Sequence, residues 1–310
     1  RTEGGASIAK KLYVGTDLDV DGTTNLDAVD IDGAVDMATT LAVAGKTTTN
    51  ELDLTAIAKD ITDTAVDVFV YDTANDSDSG RWRKRTQHTS WYNEAASATR
   101  GSRKEFPSVA VIVAEAATVT IYDGDDPDMP MWMVFNKGTG YAIWTSAAIG
   151  SVSAINGLIT LGIPTGGGLS YINVINDKAG RWTLSSNSQD DFLGVISQRN
   201  TNIGIVATSR VGLVNQYVND VAMTVLPNAP IDYATDLPVP TIAVATNGGV
   251  SVIKDDGTVV DIVATTASPI SNSIKVNPVG RITWSAEATG RFWSIDLPSA
   301  DVSAGWFESI

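Results

Sequence analysis

"TIAVATNGGVSVIKDDGTVVDIV", residues 241–263, holds three short runs rich in Val and Ile, interrupted at Asn247-Gly248 and Asp256-Gly257. Asn-Gly and Asp-Gly tolerate positive φ where a strand must reverse, so both steps signal hairpin turns. Three strands joined by two tight turns make an antiparallel meander. The same reading extends outward. "SVAVIVAEAATVTIYDG" (108–124) has two strand-like runs around a short break. Val, Ile, Thr and Gly recur throughout, and long stretches of 3.6-residue periodicity are scarce. The absence of βαβ alternation argues against a doubly wound parallel fold. The chain is expected to be all-β.

Strong strands begin near Val109, Leu158, Ile203, Ile242 and Ile282, at spacings of 49, 45, 39 and 40 residues. This is close to the ~40–50 residue period of propeller blades. A second echo runs beside it. Gly80-Arg81-Trp82 recurs as Gly180-Arg181-Trp182, with looser copies at Gly280-Arg281-Ile282 and Gly290-Arg291-Phe292. "YDTANDSDSGRW" (71–82) and "INDKAGRW" (175–182) share one order: strand end, polar turn, Gly, then a strand carrying an aromatic. Aromatics on one face of such strands fill the wedge between blades. A β-propeller-like domain over residues 65–310 follows, with a β-sandwich as the alternative.

The first part of the chain differs. In "LDVDGTTNLDAVDIDGAVDM" (18–37), apolar positions alternate with Asp-Gly steps. Residues 1–80 carry 16 acidic and 5 basic side chains, a net of −11. Strand-sized pieces end at Gly15, Gly22, Gly33 and Gly45. Each piece buries one face only, so neighbouring copies or sister chains must supply the second layer. A homotrimer is one closed solution. Residues 1–64 are therefore expected to form an acidic, trimerising β-stem. The chain starts at Arg1 and reads as a processed product or a fragment of a longer protein.

Composition excludes several functions. With 36 acidic against 21 basic residues, the net charge is −15, which argues against nucleic acid or an anionic membrane as partner. Cysteine is absent, so disulfides and thiolate metal sites are excluded. The single histidine, His88, rules out two-imidazole catalysis and a His-rich metal site within one chain. No run of apolar residues is long enough to span a membrane as a helix. The opening "RTEGGASIAKK" lacks the apolar core of a signal peptide.

Asp17-x-Asp19-x-Asp21-Gly22 has the start of a calcium loop, but its twelfth position is Ala28 instead of a bidentate acid, and it reads as a solvated strand face. "DGDDPD" (123–128) reads as an acidic turn. "PTGGGLS" (164–170) has neither the Lys nor the following helix of a phosphate cradle, and reads as a hairpin tip. His88 has no evident triad partner and reads as structural. Carboxylate pairs for glycoside cleavage leave no local motif.

"RWRKRTQHTSWYNEAASATRGSRK" (81–104) holds seven basic residues and one acid in an otherwise acidic chain. Its plain reading is a strand and loop whose cations pair with acidic neighbours, with Trp82 and Trp91 packed. Its functional readings are a nucleic-acid surface, where cations meet phosphate and rings stack on bases, and a glycan site, which suits exposed aromatics beside polar groups; Arg83, Arg85, Trp91 and Tyr92 are the candidate contact residues.

"KKLYVGTDLDVDGTTNLDAVDIDGAVDMATTLAVAGKTTTNELDL" (10–54) resembles the stem repeats of tailed-bacteriophage tail fibres, whose short "L-x-V-x-G-T-T-x-L" units wind three chains into a β-structured shaft. "IAVATNGGVSVIKDDGTVVDI" (242–262) resembles strands of β-propeller domains in phage structural proteins. The resemblance implies a non-enzymatic virion component without catalytic residues, metal or cofactor. It would trimerise through the stem, contact other virion proteins, and meet a host surface glycan or receptor. A tailspike-like glycan depolymerase and a bacterial surface adhesin module are the alternatives.

Overall fold

The computed structural model describes residues 64–89, 102–136, 148–184, 189–201, 204–208, 211–264, 270–286, 291–304 and 308–309. The chain divides into two compact units, Arg1–Leu52 and Asp53–Ile310, and every described residue belongs to the second. The expected stem, including Asp17, Asp19 and Asp21, lies outside the described residues.

The described residues form an all-β, propeller-like domain of four larger, mainly antiparallel sheets and one two-stranded hairpin. The first is a meander of β1 (Asp67–Asp72), β2 (Val109–Ala114), β3 (Thr118–Asp123) and β4 (Met131–Asn136). The second runs in order from β5 (Ser151–Ile155) through β6 (Leu158–Ile163), β7 (Gly168–Asn173), β8 (Lys178–Trp182) and β9 (Gln189–Phe192) to β10 (Ile205–Thr208). The third begins with β11 (Val218–Thr224). A two-stranded hairpin, β12 (Ile231–Asp232) and β13 (Leu237–Pro238), interrupts it before β14 (Thr241–Thr246), β15 (Gly249–Ile253) and β16 (Val259–Ala264). The fourth contains β17 (Ser271–Val276), β18 (Arg281–Ala286) and β19 (Arg291–Asp296). Two late strands close the outer edges: β20 (Val302–Ala304) pairs parallel with β16, and β21 (Glu308–Ser309) pairs antiparallel with β19.

Each sheet starts at an edge, and these first strands meet in succession: β1 with β5, β5 with β11, and β11 with β17. That is the arrangement of propeller blades, whose first strands gather on one side. Side-chain alternation then supplies both faces of each inner sheet. Along β14, Ile242 and Val244 enter the core shared with the second sheet, beside Leu169, Val218 and Val221. The intervening Ala243 and Ala245 enter the core shared with the fourth sheet, beside Ile274, Ile282 and Trp284. Along β6, Ile159, Leu161 and Ile163 pack with the first sheet, while Leu158 packs with the third. Period-two alternation thus sends one strand into two cores. Strands β2, β6 and β14 are nearly continuous apolar runs because both of their faces are covered.

The meander expected over 241–263 is present as β14–β16 in continuous antiparallel register. Positive φ falls on Gly249 (127°) and Gly257 (80°), so the first turn places it one residue beyond Asn247-Gly248. The expected period marks second strands instead of blade starts: Val109 opens β2, Leu158 opens β6, and Ile242 and Ile282 lie at the starts of β14 and β18. Ile203 lies outside the described residues, and nearby β10 extends the second sheet without starting a new one. "PTGGGLS" forms the β6–β7 hairpin tip. Among the described residues, no helix is long and apolar enough to cross a membrane.

Two aspartates fasten first strand to first strand. Asp67 on β1 accepts from the Val152 N–H of β5 at 2.7 Å, and also from Val68 beside it. Asp220 on β11 accepts from the Ile274 N–H of β17 and from Val221 beside it, both at 2.8 Å. A register shift between Val218 and Asp220 sets the second of these. Burial pushes both carboxyls above their usual 3.8, outweighing those hydrogen bonds, and Asp67 raises Asp220 further by charge repulsion. With the folded value raised, the stability from Asp220 titration is fully present below pH 3.8 and is lost as pH rises through the raised value. Asp220→Ala orphans two backbone N–H groups and is expected to cost about 1–3 kcal/mol at neutral pH by urea unfolding. Stability of the wild type should also fall across that pH window more steeply than that of the variant.

Candidate binding face

The basic segment after β1 does not continue as a strand. Residues Thr73–Asn75 form a 3₁₀ turn, η1, and Arg81–His88 a second, η2, where Gly-Arg-Trp was expected to restart a strand. Gly80 before η2 takes a left-handed φ of 74°, and a Cβ there would meet Thr73 Oγ1 at 2.6 Å. This reversal folds Trp82 back over β1. Its ring stacks 6.4 Å from Tyr71 and lies 5.2 Å from Phe106, which in turn meets Trp132 edge-on at 4.9 Å. The other copies differ: Gly180 lies inside β8, while Gly280 precedes β18 as expected.

A buried carboxylate organises this corner. Asp76 accepts from the Tyr71 hydroxyl at 2.5 Å, the Trp82 indole N–H at 2.7 Å and the Asn156 N–H at 2.8 Å. Burial pushes the Asp76 carboxyl up against the pull of these donors. Burial, followed by the neighbouring Asp76 charge, also holds the Tyr71 hydroxyl well above the ordinary tyrosine value, so it remains a donor. The same hydroxyl accepts from Gly157 N–H at 2.8 Å. Asn156 and Gly157 form the β5–β6 turn with φ of 51° and 71°, the Asn-Gly geometry of a tight hairpin. Asn156 then reaches outward, with Nδ2 donating to Ser77 Oγ at 3.0 Å and to Pro238 O at 2.9 Å.

Through these bonds, η2 and the β12–β13 hairpin become neighbours. Trp82 and Thr86 face inward, leaving Arg81, Lys84, Arg85 and His88 exposed. Arg85 donates to Thr235 O near the hairpin tip. The tip is shaped by Asp232, which accepts from Ala234 N at 2.9 Å and from Thr235 Oγ1 at 3.1 Å. Between them Tyr233 is fully exposed at 101%, beside Ile231 at 50%. The structure therefore ties Arg85 to a hairpin whose tip carries Tyr233, an aromatic outside the expected contact set.

The other predicted contact residues fare differently. Arg83 is half-buried, donates to Phe106 O at 3.4 Å and lies 3.8 Å from Glu105, so it is engaged with the segment that leads into β2. Trp91 and Tyr92 lie outside the described residues. His88 ends η2 exposed to solvent. The plain reading of the basic segment holds for Arg103, which bonds Asp123 and lies 3.2 Å from Asp125. "DGDDPD" is an acidic turn tied to that cation. Burial opposes ionisation of Asp125, but Ser108, the Val109 N–H and Arg103 together hold its carboxyl below the usual range. Among the described residues, no group of three or more acids or histidines is placed to hold a metal.

No known protein family and no curated protein matches the chain by sequence. Solved structures give distant likenesses. Kluyvelomyces marxianus Hsv2 aligns with 62% of this chain and 48% of its own at 9% identity and a TM-score of 0.30. The WD40 repeats of RRP9 align with 62% and 58% at 8% identity and a TM-score of 0.32. The Swd1 β-propeller domain of Myceliophteria thermophila aligns with 61% and 62% at 12% identity and a TM-score of 0.30. The chain thus spans about half to three-fifths of the length of these proteins. The propeller-like assignment rests on strand order and the cores between sheets.

Tyr71→Phe removes one donor to Asp76 and the acceptor of Gly157 N–H. It is expected to lower stability by about 1–3 kcal/mol in thermal or urea unfolding, with the ring packing retained.

Proposed function

We propose that the chain is a non-enzymatic component of a virion appendage of the tail-fibre type. In this reading an acidic stem in residues 1–64 trimerises, attaches to other virion proteins, and carries the β-domain towards the host surface. The stem-like repeats of residues 10–54 support the shaft. The observation that carries the contact role is the β12–β13 hairpin, whose tip is tethered by Arg85 yet presents Tyr233 wholly to solvent. A tethered tip keeps its aromatic ready for a partner at low ordering cost. The buried Asp76 and the half-buried Asp67 and Asp220 support a non-enzymatic role, because each is occupied in bracing neighbouring segments. Three such domains on one shaft gain on the order of 10²–10⁴ in avidity over a single weak contact.

One observation favours a second reading. Asp67 and Asp220 are both half-buried, both raised, and close enough to repel, and a glycan depolymerase needs paired carboxylates. Three measurements on the full chain separate the readings. Light scattering after size exclusion should give a trimer from micromolar to nanomolar concentration. Sedimentation with host cell envelopes should show binding that Tyr233→Ala and Arg85→Glu each reduce several-fold. No reducing ends should be released from envelope polysaccharide. A monomer that stays in the supernatant when the envelopes sediment contradicts the proposal, and steady release of reducing ends that Asp67→Asn abolishes supports the enzyme instead.

A further inference from the structure

The β12–β13 hairpin bridges the end of the second sheet where the β5–β6 turn and the end of β7 come together. It is held at one end by Asn156 Nδ2 on Pro238 O, and by Val239 N–H on Pro230 O at 2.8 Å. Near its tip it is held by Arg85 on Thr235 O. Between these tethers lies a solvent-open cleft of about 100 Å³. Leu158, Val239 and Pro240 give it apolar lining, and Asn173, Asp232 and Thr235 polar lining.

The polar lining retains hydrogen-bonding capacity. Asn173 Oδ1 accepts from the N–H groups of Ile175 and Asn176, at 3.0 and 3.2 Å, which orients its amide. Its Nδ2 then has donors to offer, with no protein acceptor among the described residues. The Asp232 oxygens each accept one internal hydrogen bond, leaving lone pairs for an incoming hydroxyl. A site with apolar lining, an amide donor and a carboxylate acceptor matches a sugar ring, which brings C–H surface and hydroxyl groups together. The carboxylate repels anionic sugars.

We infer that this cleft binds a neutral hexose or hexosamine unit of a surface polysaccharide, with Asn173 Nδ2 as donor, Asp232 as acceptor, and Tyr233 next to the path of the continuing chain. The inference rests on the reading of this domain as a surface-contact module and names the chemistry that it contacts.

Saturation-transfer NMR on the full chain tests it, with cellotetraose and tetra-N-acetylchitotetraose as neutral probes and tetragalacturonate as the anionic one. At least one neutral probe should receive saturation, and the anionic probe should receive none. Asn173→Asp keeps the turn-forming oxygen and removes the donor, so it should weaken binding at least tenfold. Val239→Phe narrows the cleft without touching Asn173 and should weaken binding similarly, which keeps the test valid if the first variant misfolds. Silence from both neutral probes, or unchanged binding in both variants, overturns the inference. Envelope sedimentation of the same samples separates the two ideas. Retained envelope binding with silent neutral probes removes the cleft assignment alone, whereas neutral-probe binding without envelope binding supports the cleft and removes the attachment reading.

Discussion

Asp76 holds a carboxylate in the protein interior, and three segments must meet to keep it there: β1 through the Tyr71 hydroxyl, η2 through the Trp82 indole, and the β5–β6 turn through the Asn156 amide. An ionised group taken from water without partners costs several kcal/mol, so losing any one donor exposes the penalty that the others offset. The carboxylate therefore acts as a common anchor. It fixes where η2 lies, and through Asn156 it fixes where Pro238 and the β12–β13 hairpin lie. The exposed face formed by Arg85 and Tyr233 is downstream of that anchor.

The same chemistry recurs where sheet meets sheet. Asp67 and Asp220 occupy matching places, each bonding the N–H of the next residue and an N–H on the following first strand. At the matching place in the second sheet stands Ser151, whose buried Oγ has no partner among the described residues. Serine is too short to reach across as aspartate does. The junction of the second and third sheets instead relies on close packing: a Cβ on Gly162 would fall 2.9 Å from Val218 Cγ1. Glycine there lets two sheets approach closely, whereas the aspartate junctions rest on directional hydrogen bonds. Ordinary alternation within the sheets completes the domain, with residues such as Ile242 and Ala243 feeding opposite cores.

What was legible in the chain was whatever local chemistry decides. Asn247-Gly248 and Asp256-Gly257 announce their turns because few other dipeptides reverse a strand so cheaply, and Asn156-Gly157 carried the same signal without being singled out. The ~40-residue period found the second strands because they are buried on both faces and hence the most apolar. It overcounted sheet starts because β9 and β10 lengthen an existing sheet, and because β12–β13 and η2 are inserted between paired strands. Gly80-Arg81-Trp82 was misread because the tripeptide is compatible with strand or 3₁₀ turn alike. Its outcome depends on Asp76 and Phe106, which no local pattern reveals. The site was less legible still. Arg85 finds its acceptor 150 residues away, and Arg83 is taken up by Glu105. Tyr233 left one usable trace, the Asp232-Tyr-Ala-Thr order of a side-chain-capped turn.

Hydrogen–deuterium exchange on the full chain, comparing wild type with Asp76→Ala, tests the anchoring role most directly. If Asp76 joins the three segments, amide exchange accelerates together over residues 81–88, 156–157 and 231–238, while β14–β16 stay protected. Faster exchange confined to residues 71–82, with the hairpin unchanged, would contradict the account.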